Sequence, residues 1–217
     1  MNSDLNSVKM AQQAPSDLGA KPAQGYHHGD LRAALIDAAK ALIAERGVDG
    51  FSLRAAARRA GVSAAAPAHH FGDVRGLLTA VATGAFDAFT AALVAGADAG
   101  GMDRQDRLRS MGIAYIRFAL ADPARFDLMW RSALLDLQAG DLQRARAAAF
   151  AVLADAIPTR AAPAGGDAGS RDAALVAAWA LVHGFVRLAL DGAIDADAPG
   201  LIEDVVARLA VPEFRSG

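Results

Sequence analysis

Two serines stand where a chain can grip phosphate. Ser52 and Ser63 each precede a short run at helical spacing, and at a helix start the free backbone N–H groups and the helix dipole favour a phosphate oxygen. Arg54, Arg58 and Arg59 follow closely and add positive charge. A plainer reading stays open, in which both serines only cap their helices and the arginines form a solvated face. His69 and His70 offer ring nitrogens, whereas Ala64 and Ala65 offer only the small apolar contact that meets a thymine methyl. A second group is aromatic. Tyr115, Trp130, Trp179 and His183 each combine an apolar body with a polar atom, which suits the wall of a small-molecule cavity and equally suits a core. His27, His28 and Asp30 are metal-ligating types, but adjacent histidines point apart on regular backbone and no third helical ligand is spaced to join them. No metal or cofactor is expected.

The elements that must position these residues are helical throughout. Apolar residues recur at helical spacing in an alanine-rich background, without alternating strands, which predicts an all-α protein of eight or nine helices. A first helix is expected from Asp30 as N-cap to Arg46, with Leu31, Leu35, Ala38, Ala39, Leu42 and Ile43 on one face. Two short helices follow, one after Ser52 and one capped by Ser63 and running from Ala64 to His70, with a sharp turn at Gly61 between them. That is the sequence form of a helix-turn-helix. Pro67 falls in the early turns of the second, where a missing N–H is tolerated. A longer helix is expected from Asp73 towards Ala95, then a break at Gly96, Gly100 and Gly101. Further helical patterns span 103–121, 123–130, 132–157, 170–191 and 199–210.

The chain has 217 residues and a net charge of −2, so it is no generic polyanion binder, but the charge is uneven. Residues 26–80 carry seven Lys/Arg against five Asp/Glu and four of the five histidines, while residues 81–217 carry 13 against 17. A mildly basic unit is thus followed by an acidic remainder. The absence of cysteine removes disulfides, thiol nucleophiles and cysteine-ligated metals, and suits a reducing cytoplasm. Residues 1–25 lack a signal-peptide pattern and read as a disordered tail. The uncharged stretch from Ala173 to Val186 is 14 residues long, short of the roughly 20 needed for a span, so no membrane helix is expected.

The segment from Leu31 to Leu78, through Phe51-Ser52-Leu53-Arg54, Ala60-Gly61-Val62-Ser63, His70-Phe71 and Leu77-Leu78, resembles the N-terminal DNA-binding domain of TetR-family transcriptional regulators. Tyr26-His27-His28-Gly29-Asp30-Leu31-Arg32 and, far downstream, Trp179 with His183-Gly184 look like the subgroup whose C-terminal domain carries a Trp, His and Gly signature. The resemblance implies a homodimer in which three N-terminal helices bind a double-stranded DNA operator, the fourth links the domains, and the rest form a ligand pocket and dimer bundle. It also implies repression relieved by a small-molecule effector, phosphate contacts from Ser52 and His70, and a core plug at Phe71. This chain departs from the pattern at Ala68, where a tyrosine is common, and at Val74, where a lysine is common, so its DNA binding is expected to be weaker, with Arg75 as a partial replacement.

The organisation expected is therefore a tail (1–25), a helix-turn-helix domain (26–72) and a helical ligand-binding and dimerisation domain (73–217). Ser52, Arg54, Ser63, Ala64, Ala65, His69 and His70 are the DNA-binding candidates. Tyr115, Trp130, Trp179 and His183 are the pocket candidates. Trp179, His183 and Arg187 share one face of the penultimate helix, with Ala180 and Gly184 as a small-residue stripe beside them. With Leu201 and Val205 of the last helix, these predict a two-fold helical interface. Two other classes stay open. One is a regulator-like ligand-binding module without DNA binding; the other is an all-α enzyme, for which no HExxH, G-x-S-x-G, Walker A or paired Glu-x-x-His sequence is present.

Overall fold

A computed structural model describes residues 28–157 and 168–209. The tail, Tyr26 and His27 lie outside them. Among the described residues there are nine α-helices and no strand: α1 (His28–Arg46), α2 (Leu53–Arg59), α3 (Ala66–Phe71), α4 (Val74–Ala99), α5 (Arg104–Ala121), α6 (Pro123–Trp130), α7 (Gly140–Ala156), α8 (Ala168–Leu190) and α9 (Leu201–Val206), with a 3-10 turn at Ser132–Leu134.

The N-terminal unit is built on small side chains. Leu35, Ala38, Ala39, Leu42 and Ile43 bury the predicted face of α1, and α2 answers with Ala55, Ala56 and Ala57, whose methyl groups let the two helices approach closely. Ser52 caps α2, its hydroxyl accepting from the Ala55 N–H at 3.3 Å. Gly61 takes a left-handed φ of 71° and reverses the chain, while Val62 N–H donates to the Ala57 carbonyl at 3.0 Å. Such a C-terminal turn is what a residue without Cβ permits.

Several boundaries differ from those expected. The first helix opens at His28, so Asp30 lies within its first turn and is not the N-cap. Ser63 does not cap α3. That helix starts at Ala66 with Pro67 in its first turn and no side-chain cap, and Ser63 sits in the preceding turn with its carbonyl accepting from Ala66 N–H at 3.1 Å. Proline in a first turn marks the helix start, which leaves Ala64 and Ala65 as turn residues. The expected break at Gly96 is absent, since α4 continues to Ala99; only Gly100 and Gly101 interrupt the chain. Residues 132–157 form a 3-10 turn and a separate α7, and the last helix covers only 201–206 within the expected 199–210.

The fold turns on α4. Asp73 caps it by accepting from Gly76 N–H at 2.9 Å, and along its length it packs against α1 and α3 at one end and α5, α6 and α7 beyond. Leu77, Leu78, Val81, Ala82, Ala85, Phe86, Phe89, Leu93 and Ala97 are all buried. By length and composition α4 and residues 173–190 of α8 are apolar enough to cross a membrane, a property that core helices share. For α4 the apolarity is accounted for by neighbours. α8 differs: Leu175, Val182, Phe185 and Val186 are buried, whereas Val176 and Leu188 are 54% and 50% exposed.

Candidate nucleic-acid interface and effector cavity

Ser52 and Arg54 of the α2 start, Ser63, Ala64 and Ala65 of the turn, and His69 of α3 are all exposed, while His70 is half-buried. These residues belong to the two short helices and the turn that joins them. His69 and His70 pack edge to face, with centroids 5.4 Å apart. Two cations counted towards DNA are engaged elsewhere. Arg59 makes a two-pronged ion pair with Glu45 at 2.7 and 2.5 Å, fixing α2 to α1 and holding the Glu45 carboxyl below its ordinary range. Arg75 donates to the Ala133 carbonyl at 3.0 Å, so it faces the C-terminal unit and does not replace the missing lysine. Phe71 is only half-buried, under the Arg32 guanidinium at 5.2 Å.

In the C-terminal unit the four aromatic candidates come together. Trp179 Nε1–H donates to the Tyr115 hydroxyl at 3.1 Å, and that hydroxyl lies 2.9 Å from His183 Nδ1. An indole only donates, so the tyrosine oxygen accepts from Trp179; towards His183 it donates to Nδ1 when the imidazole proton sits on Nε2 and accepts from Nδ1–H when it does not. Burial, and secondarily the Arg187 charge, lower the His183 pKa, which favours the neutral ring; burial raises the Tyr115 pKa. Rings enclose the triad: Phe89 stands edge to face on Tyr115 at 5.0 Å, Phe126 at 5.9 Å, and Trp130 on His183 at 5.2 Å. Replacing Tyr115 by phenylalanine keeps the rings and strands an indole N–H and an imidazole nitrogen. A loss of about 1–3 kcal/mol is expected, read as a lower urea midpoint at unchanged slope.

The four do not all face the same space. A cavity of about 230 Å3 opens between α4, α6, α7 and α8, and of the predicted residues only Trp130 and Trp179 line it. Tyr115 instead borders a neighbouring hollow of about 20 Å3, room for no more than a water, and His183 stands behind the wall. Phe86, Phe89, Arg146, Ala149, Phe150 and Leu153 complete the lining and stand outside the four residues expected there. The spacing of Arg146, Phe150 and Leu153 at i, i+4 and i+7 does place them on one helix face, but this pattern does not reveal which neighbour that face meets.

The two units are joined by a chain of charges. Arg187 of α8 pairs with Asp127 of α6 at 3.2 Å, Asp127 approaches Arg131 at 3.8 Å, and Arg131 forks onto Asp49 in the turn between α1 and α2 at 2.8–3.1 Å. Beside it, Thr79 of α4 donates to the Arg75 carbonyl at 2.7 Å and accepts from Asp136 N–H at 2.9 Å. Arg187, grouped with an interface in the sequence, is thus held inside its own subunit.

A helix-turn-helix tied through one long helix to a second helical unit is an arrangement that known proteins repeat. Residues 35–81 match the family model described as bacterial regulatory proteins, tetR family, and residues 108–210 match the tetracyclin repressor-like C-terminal domain. The chain belongs to the TetR family. A protein of unknown function from Rhodococcus sp. RHA1 is 33% identical over 84% of this chain and 93% of its own, with a TM-score of 0.68. A tetR-family regulatory protein from Rhodococcus RHA1 shares 18% identity over 84% and 98% of the two chains, with a TM-score of 0.61. A TetR-family transcription regulator from Marinobacter aquaeolei VT8 shares 19% over 82% and 92%, with a TM-score of 0.58. Among curated protein sequences none matches significantly. TetR-family proteins are DNA-binding transcription regulators and not enzymes.

Proposed function

We propose that this TetR-family chain is a cytoplasmic, ligand-responsive repressor that acts as a homodimer on a pseudo-palindromic operator. The observation that carries the reading is that α4 starts at the helix-turn-helix and carries Phe86 and Phe89 of the cavity wall. An effector that displaces these rings acts on the helix that supports α3. α6 gives a second route, because Trp130 lines the cavity and the adjacent Arg131 grips Asp49. On the DNA side Ser52 and Arg54 serve phosphates, and His69 and His70 flank the groove. Ala64 and Ala65 contribute apolar contact without bidentate hydrogen bonds, so specificity leans on backbone fit and DNA shape.

The dimer reading rests on α8. Trp179, His183 and Arg187 turn inward, which leaves Val176, Ala180, Gly184 and Leu188 at four-residue spacing on the uncovered side. Leu201 and Val205 of α9, which packs on α5, are half-buried and are assigned to the same interface. The small residues at its centre permit close helix approach.

The test is fluorescence-anisotropy binding to labelled DNA from upstream of the gene, with scrambled competitor and a salt series. Saturable binding that survives competitor is expected. Arg54→Gln should weaken it and reduce the salt slope by about two for the dimer, one phosphate contact per subunit. The engagement of Arg59 and Arg75 within the protein favours one rival, a ligand-binding module that does not bind DNA. Absence of binding even at low salt would establish that rival.

A further inference from the structure

The effector cavity is specific in size and in charge. Its volume of about 230 Å3 exceeds that of an apolar cavity of about 150 Å3 that accepts benzene, and it falls below the roughly 300–1,000 Å3 of sites for drug-sized ligands. One or two rings fit. The walls are suited to rings: Trp130 and Trp179 lie 5.5 Å apart at 42°, and Phe150 stands at 84° to Trp179.

Polarity narrows the class further. Arg146 is the one charged residue of the lining; its guanidinium carbon lies 6.0 Å from the Phe86 centroid, and it forms no ion pair among the described residues. The Trp130 indole N–H is buried without an acceptor, while that of Trp179 is taken by Tyr115. Aromatic walls alone suit a cation. Here a cation would meet Arg146 with no carboxylate in the lining to balance it, whereas an anion gains a charge-assisted contact.

Resting on the reading of this cavity as the effector site, we propose that the effector is an aromatic carboxylic acid of one or two rings, with its ring system against Trp130 and Trp179 and its carboxylate at Arg146. Isothermal titration calorimetry of the full chain with 2-naphthoate, 2-naphthylmethanol and 2-naphthylmethylammonium tests it. The carboxylate should bind about tenfold more tightly than the neutral alcohol, and the ammonium more weakly than either. Arg146→Gln should bring the carboxylate down to the alcohol's affinity and leave the alcohol unchanged; Arg146 is exposed, so the fold should tolerate the change. Equal affinities, a preference for the ammonium, no binding of any probe, or an Arg146→Gln protein that still prefers naphthoate would overturn the proposal. Operator binding without a preference for naphthoate would retain the regulator and discard the aromatic acid. Preference for naphthoate without operator binding would do the reverse.

Discussion

Gly76→Ala is expected to abolish operator binding, while Gly84→Ala on the same helix is expected to be neutral or mildly stabilising. A Cβ at Gly76 would lie 1.9 Å from the Phe71 carbonyl oxygen, whereas one at Gly84 would meet nothing within 4 Å. The first substitution therefore forces the end of α3 away from α4, at a cost of about 3 kcal/mol, which for a chain of this size is about 10 °C in Tm. The second replaces an exposed helical glycine by the best helix former, a gain of about 0.5–1 kcal/mol. Thermal melts and anisotropy on both variants check the pair. Equal stability of the two would show that the approach of α3 to α4 is not tight in solution.

The second large effect concerns association. Val176→Asp with Leu188→Asp puts two carboxylates per subunit on the uncovered face of α8, and a two-fold interface would bury four of them together. Unpaired charges in an interface cost several kcal/mol. The dissociation constant of the dimer should rise by about 100-fold or more, visible in analytical ultracentrifugation as a monomer at micromolar protein. Operator affinity should fall with it, because two half-sites must be engaged together. Each subunit should keep its far-ultraviolet circular dichroism, since both side chains are about half exposed. A variant that still sediments as a dimer would place the interface elsewhere.

What was legible in the sequence was what is local. The Ser52 cap and the left-handed turn at Gly61 follow from a side chain's reach along its own backbone and from a missing Cβ, so spacing alone located them. Ser63 was misplaced because the cap signal competed with Pro67, and the proline sets the start of α3. Gly96 looked like a breaker; it is a point of close approach, where a Cβ would lie 2.5 Å from the Ala114 Cβ of α5, and such an approach depends on how α5 folds back against α4, which local spacing does not encode. The same holds for Arg59 and Arg75, whose partners Glu45 and Ala133 lie 14 and 58 residues away. The aromatic candidates were recoverable by type. Their division between cavity wall and buried hydrogen-bond triad was not, because periodicity gives a face and not the neighbour it meets.

The tight approach at Gly96 also makes α4 a lever. From Gly96 to Phe89 and Phe86 is seven to ten residues, about 10–15 Å at the helical rise, while from Gly96 to Val74 is 22 residues, about 33 Å. With Gly96 as fulcrum, a displacement of about 1 Å at the two rings becomes about 2–3 Å at the foot of α4, beside α3. In a two-fold dimer both arms swing together, so the recognition helices change their separation by up to about twice that amount, against a half-site spacing of about 34 Å. A small ligand need not reach the DNA-reading surface to spoil its fit, because the mechanical advantage is set by where along the helix the glycine lies.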